Sequence, residues 1–271
     1  MPRSLRQTGR IGGIIHQLGA IVLVTSLPVV AASKSACLFV PGYKLGDEEN
    51  YASIKADFQA AGTEFLFRND TVFSEGPLEV SSIALAQDVR QQSRQGFDQI
   101  TLFGHSRGAS VCALALLHLL SSQSQPEFKL PKLVLCLMDP VDDAERTCIS
   151  SWARATVDEK WPKVRVNIIA TPYGGFSRYY RKKLSSSCAP PGRDAEALGS
   201  VLASVSASAL EVEMWSYPNL GHLQLLDESV KDSPLYSVCP TNGDIGSGAS
   251  VLEEKSSAMA VIRRWAAKDA L

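Results

Sequence analysis

Ile100-Thr101-Leu102-Phe103-Gly104-His105-Ser106-Arg107-Gly108-Ala109 decides how this 271-residue chain is read. A β-rich apolar run enters Gly-x-Ser-x-Gly, and Ala109 to Leu120 continues as a helix that is apolar almost all round. A serine between two glycines on a strand–turn–helix junction sits on a tight, strained backbone with its hydroxyl exposed at the sheet edge. The glycines remove side chains that would collide with the neighbouring strand and helix. Ser106 is therefore the candidate nucleophile. The dipole at the start of the following helix favours negative charge developing beside it.

Working outward, similar short apolar runs recur at Cys37–Val40, Phe65–Phe67, Leu133–Met138 and Val164–Ile169, with a more mixed sixth at Leu210–Tyr217. Near-continuous apolar strands imply burial on both faces, hence a mostly parallel sheet of about six strands covered by helices. Helical stretches fit between them at about Glu49–Ala60, Val80–Arg94, Arg107–Leu120 and Ala195–Ser206, with a last one at about Leu252–Lys268. The fold class is α/β.

A serine hydroxyl needs an adjacent base. In such folds the chain order is Ser, acid, His. Only His118 and His222 follow Ser106. His118 lies twelve residues along the same helix, roughly 18 Å away at about 1.5 Å per residue, so it reads as a core or helix-end histidine. His222, in the loop Asn219-Leu220-Gly221-His222 after the sixth run, is the candidate base. Three acids stand at the tip of the Leu133–Met138 run: Asp139, Asp142 and Asp143. A carboxylate at a strand's C-terminal end lies where α/β active sites form. Asp139 leads, held extended by Pro140, and Asp142 is the reserve. The next strand ends in Thr171-Pro172-Tyr173 and offers no carboxylate. The oxyanion donors are expected to be the Arg107 N–H and an N–H from Pro41-Gly42-Tyr43, with Tyr43 favoured and Gly42 allowing close approach.

The first 33 residues read as a separate piece, and residues 34–271 as one domain. Arg3, Arg6 and Arg10 precede an uncharged stretch, Ile11–Ser33, that ends in small residues. That is the layout of a cleaved secretory signal peptide. As a helix of roughly 34 Å it also suits an uncleaved membrane anchor. Its removal takes the net charge from −1 to −4. An acidic chain excludes a nucleic-acid footprint. Four histidines and no cysteine pair at zinc spacing point to a site without metal.

Gly104-His105-Ser106-Arg107-Gly108, Asp139-Pro140-Val141-Asp142, Cys188-Ala189-Pro190 and Gly221-His222-Leu223-Gln224-Leu225-Leu226-Asp227-Glu228 follow in that order. This series resembles the chlorophyllase family of plant and algal α/β-hydrolases. The resemblance implies an α/β-hydrolase fold, a Ser106–Asp139–His222 triad, and no cofactor; with the leader cleaved, almost nothing precedes Cys37, and the first antiparallel hairpin of the fuller sheet is expected to be missing. It also implies cleavage of the phytyl ester of chlorophyll to chlorophyllide and phytol. Departures are Pro41-Gly42 where the family reads His-Gly, Ala109 for the third elbow glycine, and Gln224 for an aspartate. Cys188 and Cys239 resemble family cysteines; a disulfide between them competes with buried free thiols. A lid from Arg178–Leu184 with Trp152, Trp161 and Phe176 would suit a porphyrin ester, while loop aromatics of this kind equally serve as plain core fillers; the basic Arg178, Arg181, Lys182 and Lys183 suit head groups or a solvated helix face. The partner is an apolar ester. The leader implies a secretory route, or a plastid reached through the endoplasmic reticulum. A general carboxylesterase or lipase, and a non-catalytic binder of the same fold, are the competing functions.

Overall fold

The computed structural model describes residues 33–43, 48–121, 130–155, 163–171, 191–205, 210–217 and 251–266. The leader, the expected Arg178–Leu184 lid with Trp161 and Phe176, Cys188, Cys239 and His222 all lie outside them.

Among the described residues six strands form one sheet. They are β1 (Ser35–Val40), β2 (Glu64–Phe67), β3 (Gln99–His105), β4 (Lys132–Met138), β5 (Val164–Ala170) and β6 (Leu210–Ser216). Their order is β2-β1-β3-β4-β5-β6, and every pairing is parallel. The helices are α1 (Ala52–Ala60), α2 (Thr71–Glu75), α3 (Leu78–Arg94), α4 (Arg107–Ser121), α5 (Thr147–Ala153), α6 (Pro191–Val205) and α7 (Val251–Ala266). A 3₁₀ turn, Glu48–Tyr51, leads into α1.

Alternation along β1 shows why its run is apolar throughout. Ala36, Leu38 and Val40 join a core with α3, α4, α5 and α6, while Cys37 and Phe39 join a second core with α1 and α7. Both faces are covered, so period-2 patterning vanishes in the central strands. At β6, the last strand of the described sheet, the covering thins: Glu211, Glu213 and Met214 are exposed, the last two on opposite faces. The order in which strands are added reverses at β1/β3, since β2 lies on one side of β1 and β3 on the other. The chain leaving β1 goes to α1 on one face, and that leaving β3 goes to α4 on the other. The point where the two diverge is the usual place for a ligand in an open α/β sheet.

Candidate active site

Ser106 stands at that point, directly after the end of β3. Its φ is 56°, a left-handed conformation that costs a serine about 1 kcal/mol or more. Three hydrogen bonds hold it. Its N–H donates to Met138 O at 2.8 Å, and its carbonyl accepts from Ala109 N–H at 3.0 Å and Val141 N–H at 3.1 Å. A Cβ at Gly104 would lie 2.3 Å from Gly108 O, and one at Gly108 only 2.1 Å from Val40 O. The first glycine lets β3 pass under its own helix, and the second lets α4 touch the end of β1. Ala109, in the third elbow position, is fully buried.

Asp139 occupies the tip of β4, one strand over. The expectation of an extended residue before Pro140 is corrected: its φ is 47°. Two demands override the pre-proline preference. Its N–H donates to Ile169 O at 2.7 Å, and its carboxylate turns toward Thr171 at the end of β5. Oδ1 accepts the Thr171 N–H at 3.0 Å, and Oδ2 accepts the Thr171 hydroxyl. Aspartate tolerates the left-handed region better than most residues. Both residues are fully buried. Thr171 was read from sequence only as the lack of a carboxylate; a hydroxyl one residue past a buried strand was the available signal.

Asp142 faces elsewhere. Its Oδ1 accepts from Asp143 N–H at 2.9 Å and Cys148 N–H at 3.1 Å, and its Oδ2 from Ile149 N–H at 2.9 Å. Together with Asp143, which accepts the Thr147 N–H at 2.8 Å, it satisfies the start of α5. Burial raises the Asp142 pKa, and these N–H groups oppose the rise. Asp194, in the first turn of α6, is a site residue that sequence reasoning missed. It is 4% exposed, accepts the Asp142 N–H at 3.2 Å, and lies 3.6 Å from Arg146. Burial pushes its pKa up to about 6, and the charges of Asp142 and Asp139 add to that.

Of the expected oxyanion donors, the Arg107 N–H opens α4 and meets no acceptor among the described residues. The Pro41–Tyr43 loop lies against the same turn, as the Gly108 approach to Val40 O and Pro41 O requires. Within it the Gly42 N–H points at the Tyr51 hydroxyl, 3.4 Å away, and Tyr43 is 39% exposed. The Arg107 side chain has its own task. It donates to Phe73 O at 2.6 Å and to Gly76 O, clamping α2 and the turn after it beside the elbow. Burial lowers its pKa from the ordinary arginine value, countered by Asp143 and Tyr43.

His118 behaves as a helix-packing residue. Its Nε2 lies 3.1 Å from Ser82 Oγ and 3.5 Å from Glu79 Oε1, joining α4 to α3. Trp152 is no lid residue: it is fully buried, with its indole N–H donating to Ala113 O at 3.0 Å. Cys37, Cys112, Cys136 and Cys148 are buried free thiols. No His, Cys, Asp and Glu cluster of metal-binding geometry occurs among the described residues.

The parallel sheet in this strand order and the strand–turn–helix elbow at Ser106 together define an α/β-hydrolase fold. No family model matches the chain, and no curated protein matches its sequence. Among solved structures it is similar to carboxyl esterase 2 of the mycorrhizal fungus Tuber melanosporum, at 12% identity and a TM-score of 0.49 over 89% of this chain and 79% of that one. A hyperthermophilic esterase from the archaeon Pyrobaculum calidifontis matches at 13% and 0.49, over 88% and 78%. The RedJ thioesterase of the prodiginine pathway in Streptomyces coelicolor matches at 11% and 0.41, over 77% and 91%. Each of these scores lies below 0.5, so the fold rests on the sheet and elbow described above and the chemistry on the site itself.

Proposed function

We propose that this chain is a serine hydrolase of carboxylic esters, with Ser106 as nucleophile, His222 as base and Asp139 as the acid that orients it. The observation that carries this reading is a pair of left-handed, non-glycine residues, Ser106 and Asp139, at the tips of adjacent strands. Each is held there by built-in support, the elbow glycines for one and Thr171 for the other. Strain kept in place by its surroundings is a mark of functional positions. His222 follows Tyr217, at the end of β6, by five residues. Five residues reach up to roughly 17 Å, and β6 is three strands from β3, about 14 Å at ~4.8 Å per strand. The loop is long enough to bring the imidazole over Ser106.

In the reaction, Ser106 Oγ attacks the ester carbonyl while His222 takes its proton. The Arg107 N–H and a loop N–H stabilise the oxyanion, and His222 protonates the leaving alcohol. Water, deprotonated by His222, releases the acyl-enzyme. Asp139 fixes the imidazole tautomer and stabilises the imidazolium. No cofactor enters the scheme.

Within this class the substrate we favour is the phytyl ester of chlorophyll, giving chlorophyllide and phytol. The support is the ordered series of four segments that resemble chlorophyllases. The N-terminal layout supports a secretory route, or a plastid reached through it, with the basic 178–183 segment at a membrane surface. The test incubates the full chain, beside Ser106→Ala, with detergent-dispersed chlorophyll a and follows pigments by HPLC. Chlorophyllide from the wild type alone supports substrate and nucleophile together. Cleavage of p-nitrophenyl esters without chlorophyllide leaves a general esterase. Neither product from a folded chain overturns the hydrolase reading.

A further inference from the structure

Tyr51 ends the 3₁₀ turn before α1 and is fully buried. Its ring lies 4.6 Å from that of Phe39, 5.7 Å from Phe67 and 6.1 Å from His105. Its hydroxyl meets two groups, each at 3.4 Å: the Gly42 N–H and His105 Nδ1. Gly42 belongs to the loop leaving β1, and His105 is the residue before Ser106. The hydrogen count sets the direction of this chain. An amide N–H can only donate, so the Tyr51 oxygen accepts from Gly42. The phenolic proton is then left for His105 Nδ1, which makes His105 the Nε2–H tautomer. In the opposite sense a buried phenolic O–H would have no acceptor, which is costly. Burial raises the phenol's pKa, so the proton stays.

We propose that Tyr51 is a positioning residue for ester cleavage: its hydroxyl ties the Gly42 N–H to His105 and so fixes the oxyanion loop, Pro41–Tyr43, against the nucleophile turn. The chains leaving β1 and β3 otherwise go to opposite faces of the sheet. The hydroxyl bridges them one residue from the reacting oxygen without touching substrate. The proposal rests on the reading of Ser106 as an ester-cleaving nucleophile.

The test is Tyr51→Phe in the full chain, which keeps the ring and its aromatic neighbours and removes only the bridge. With p-nitrophenyl butyrate, kcat is expected to fall roughly ten- to a hundred-fold, the scale of an ångström-sized misplacement, with KM within about two-fold. The melting temperature should stay within about 4 °C. Amide exchange should quicken at Gly42 and Tyr43 and stay unchanged in α4. Unchanged kcat with unchanged exchange overturns the proposal. So does a kcat loss accompanied by faster exchange throughout the core, which marks general loosening. A rise in kcat also overturns it, because Gly42 would then be an oxyanion donor that the hydroxyl withholds. A wild type inert to the ester and to a fluorophosphonate label at Ser106, with loop exchange still faster in the variant, overturns the hydrolase reading and upholds the tether.

Discussion

Replacing Gly108 by alanine adds one carbon where α4 rests on the end of β1. That carbon would lie 2.1 Å from Val40 O, 2.5 Å from Pro41 O and 2.7 Å from Val40 C, all backbone atoms that no rotamer change can move. To bring 2.1 Å out to 3.4 Å, where ordinary contact begins, the helix start and the β1 loop must part by about 1.3 Å. Overpacking of this kind costs about 1–3 kcal/mol, partly offset by a gain of up to ~1 kcal/mol for alanine over glycine in a helix. We expect a net loss of about 1–2 kcal/mol in urea unfolding. Because the loop that moves carries the proposed oxyanion donor, ester kcat/KM should fall about 100-fold. Gly199→Ala is the control. It is also helical, but its new carbon would meet only side-chain ends, Met214 Sδ at 3.3 Å and Ile168 Cδ1 at 3.4 Å. It should be neutral or slightly stabilising, with unchanged kinetics. A Gly108→Ala chain that behaves like Gly199→Ala would refute the geometric account of the elbow.

Two aspartates three residues apart should respond in opposite ways. Asp139→Asn should lower kcat by up to about 10⁴-fold with little change in melting, whereas Asp142→Asn should cost about 1–2 kcal/mol of stability and leave kcat nearly intact; stopped-flow kinetics and urea melts on both would expose an exchange of roles. Asp194 should shape stability against pH. Its folded pKa of about 6 lies above the ordinary aspartate value of 3.8, so between these values the folded state holds more of its proton than the unfolded one. Its contribution therefore favours folding as pH falls from about 6 to 4 and is lost as pH rises through that window, with a slope of at most about 1.4 kcal/mol per pH unit. Asp194→Asn should remove that slope from urea unfolding between pH 4 and 6.5, and an unaltered slope would place the proton elsewhere.

What the sequence made legible follows from how local each signal is. The elbow could be read because strand, glycines and helix are contiguous, and the central strands because burial on both faces leaves an unbroken apolar run. The boundaries of α3 and α4 fell within two residues of those expected. α2 and α5 escaped notice because five and seven residues span too few turns to show a helical period. Asp139 was placed at the right strand tip but given the wrong backbone. The Pro140 rule is local, whereas the Ile169 carbonyl and Thr171 that turn the residue are about thirty positions away. Asp194 reaches Asp142 across 52 residues of sequence, and nothing nearby marks it. Trp152 looked like a loop aromatic until its helix and the Ala113 carbonyl gave it a place in the core.

The register of β3 against β4 has a further consequence. His105 pairs with Met138, so Ser106 and Asp139 each leave the ladder one residue past a matched pair. Their spacing is thus inherited from the hydrogen-bond repeat of the sheet, about 4.8 Å per strand, rather than from any loop. The sheet acts as a ruler. Insertions at its far end, such as in the Gly96–Asp98 turn before β3, can lengthen the chain without shifting the mark at which either residue stands. Insertions beyond the elbow change only what is brought to the ruler. Selection for a new acyl chain or alcohol could therefore rewrite the surrounding loops many times while the distance between hydroxyl and carboxylate stays as the ladder set it.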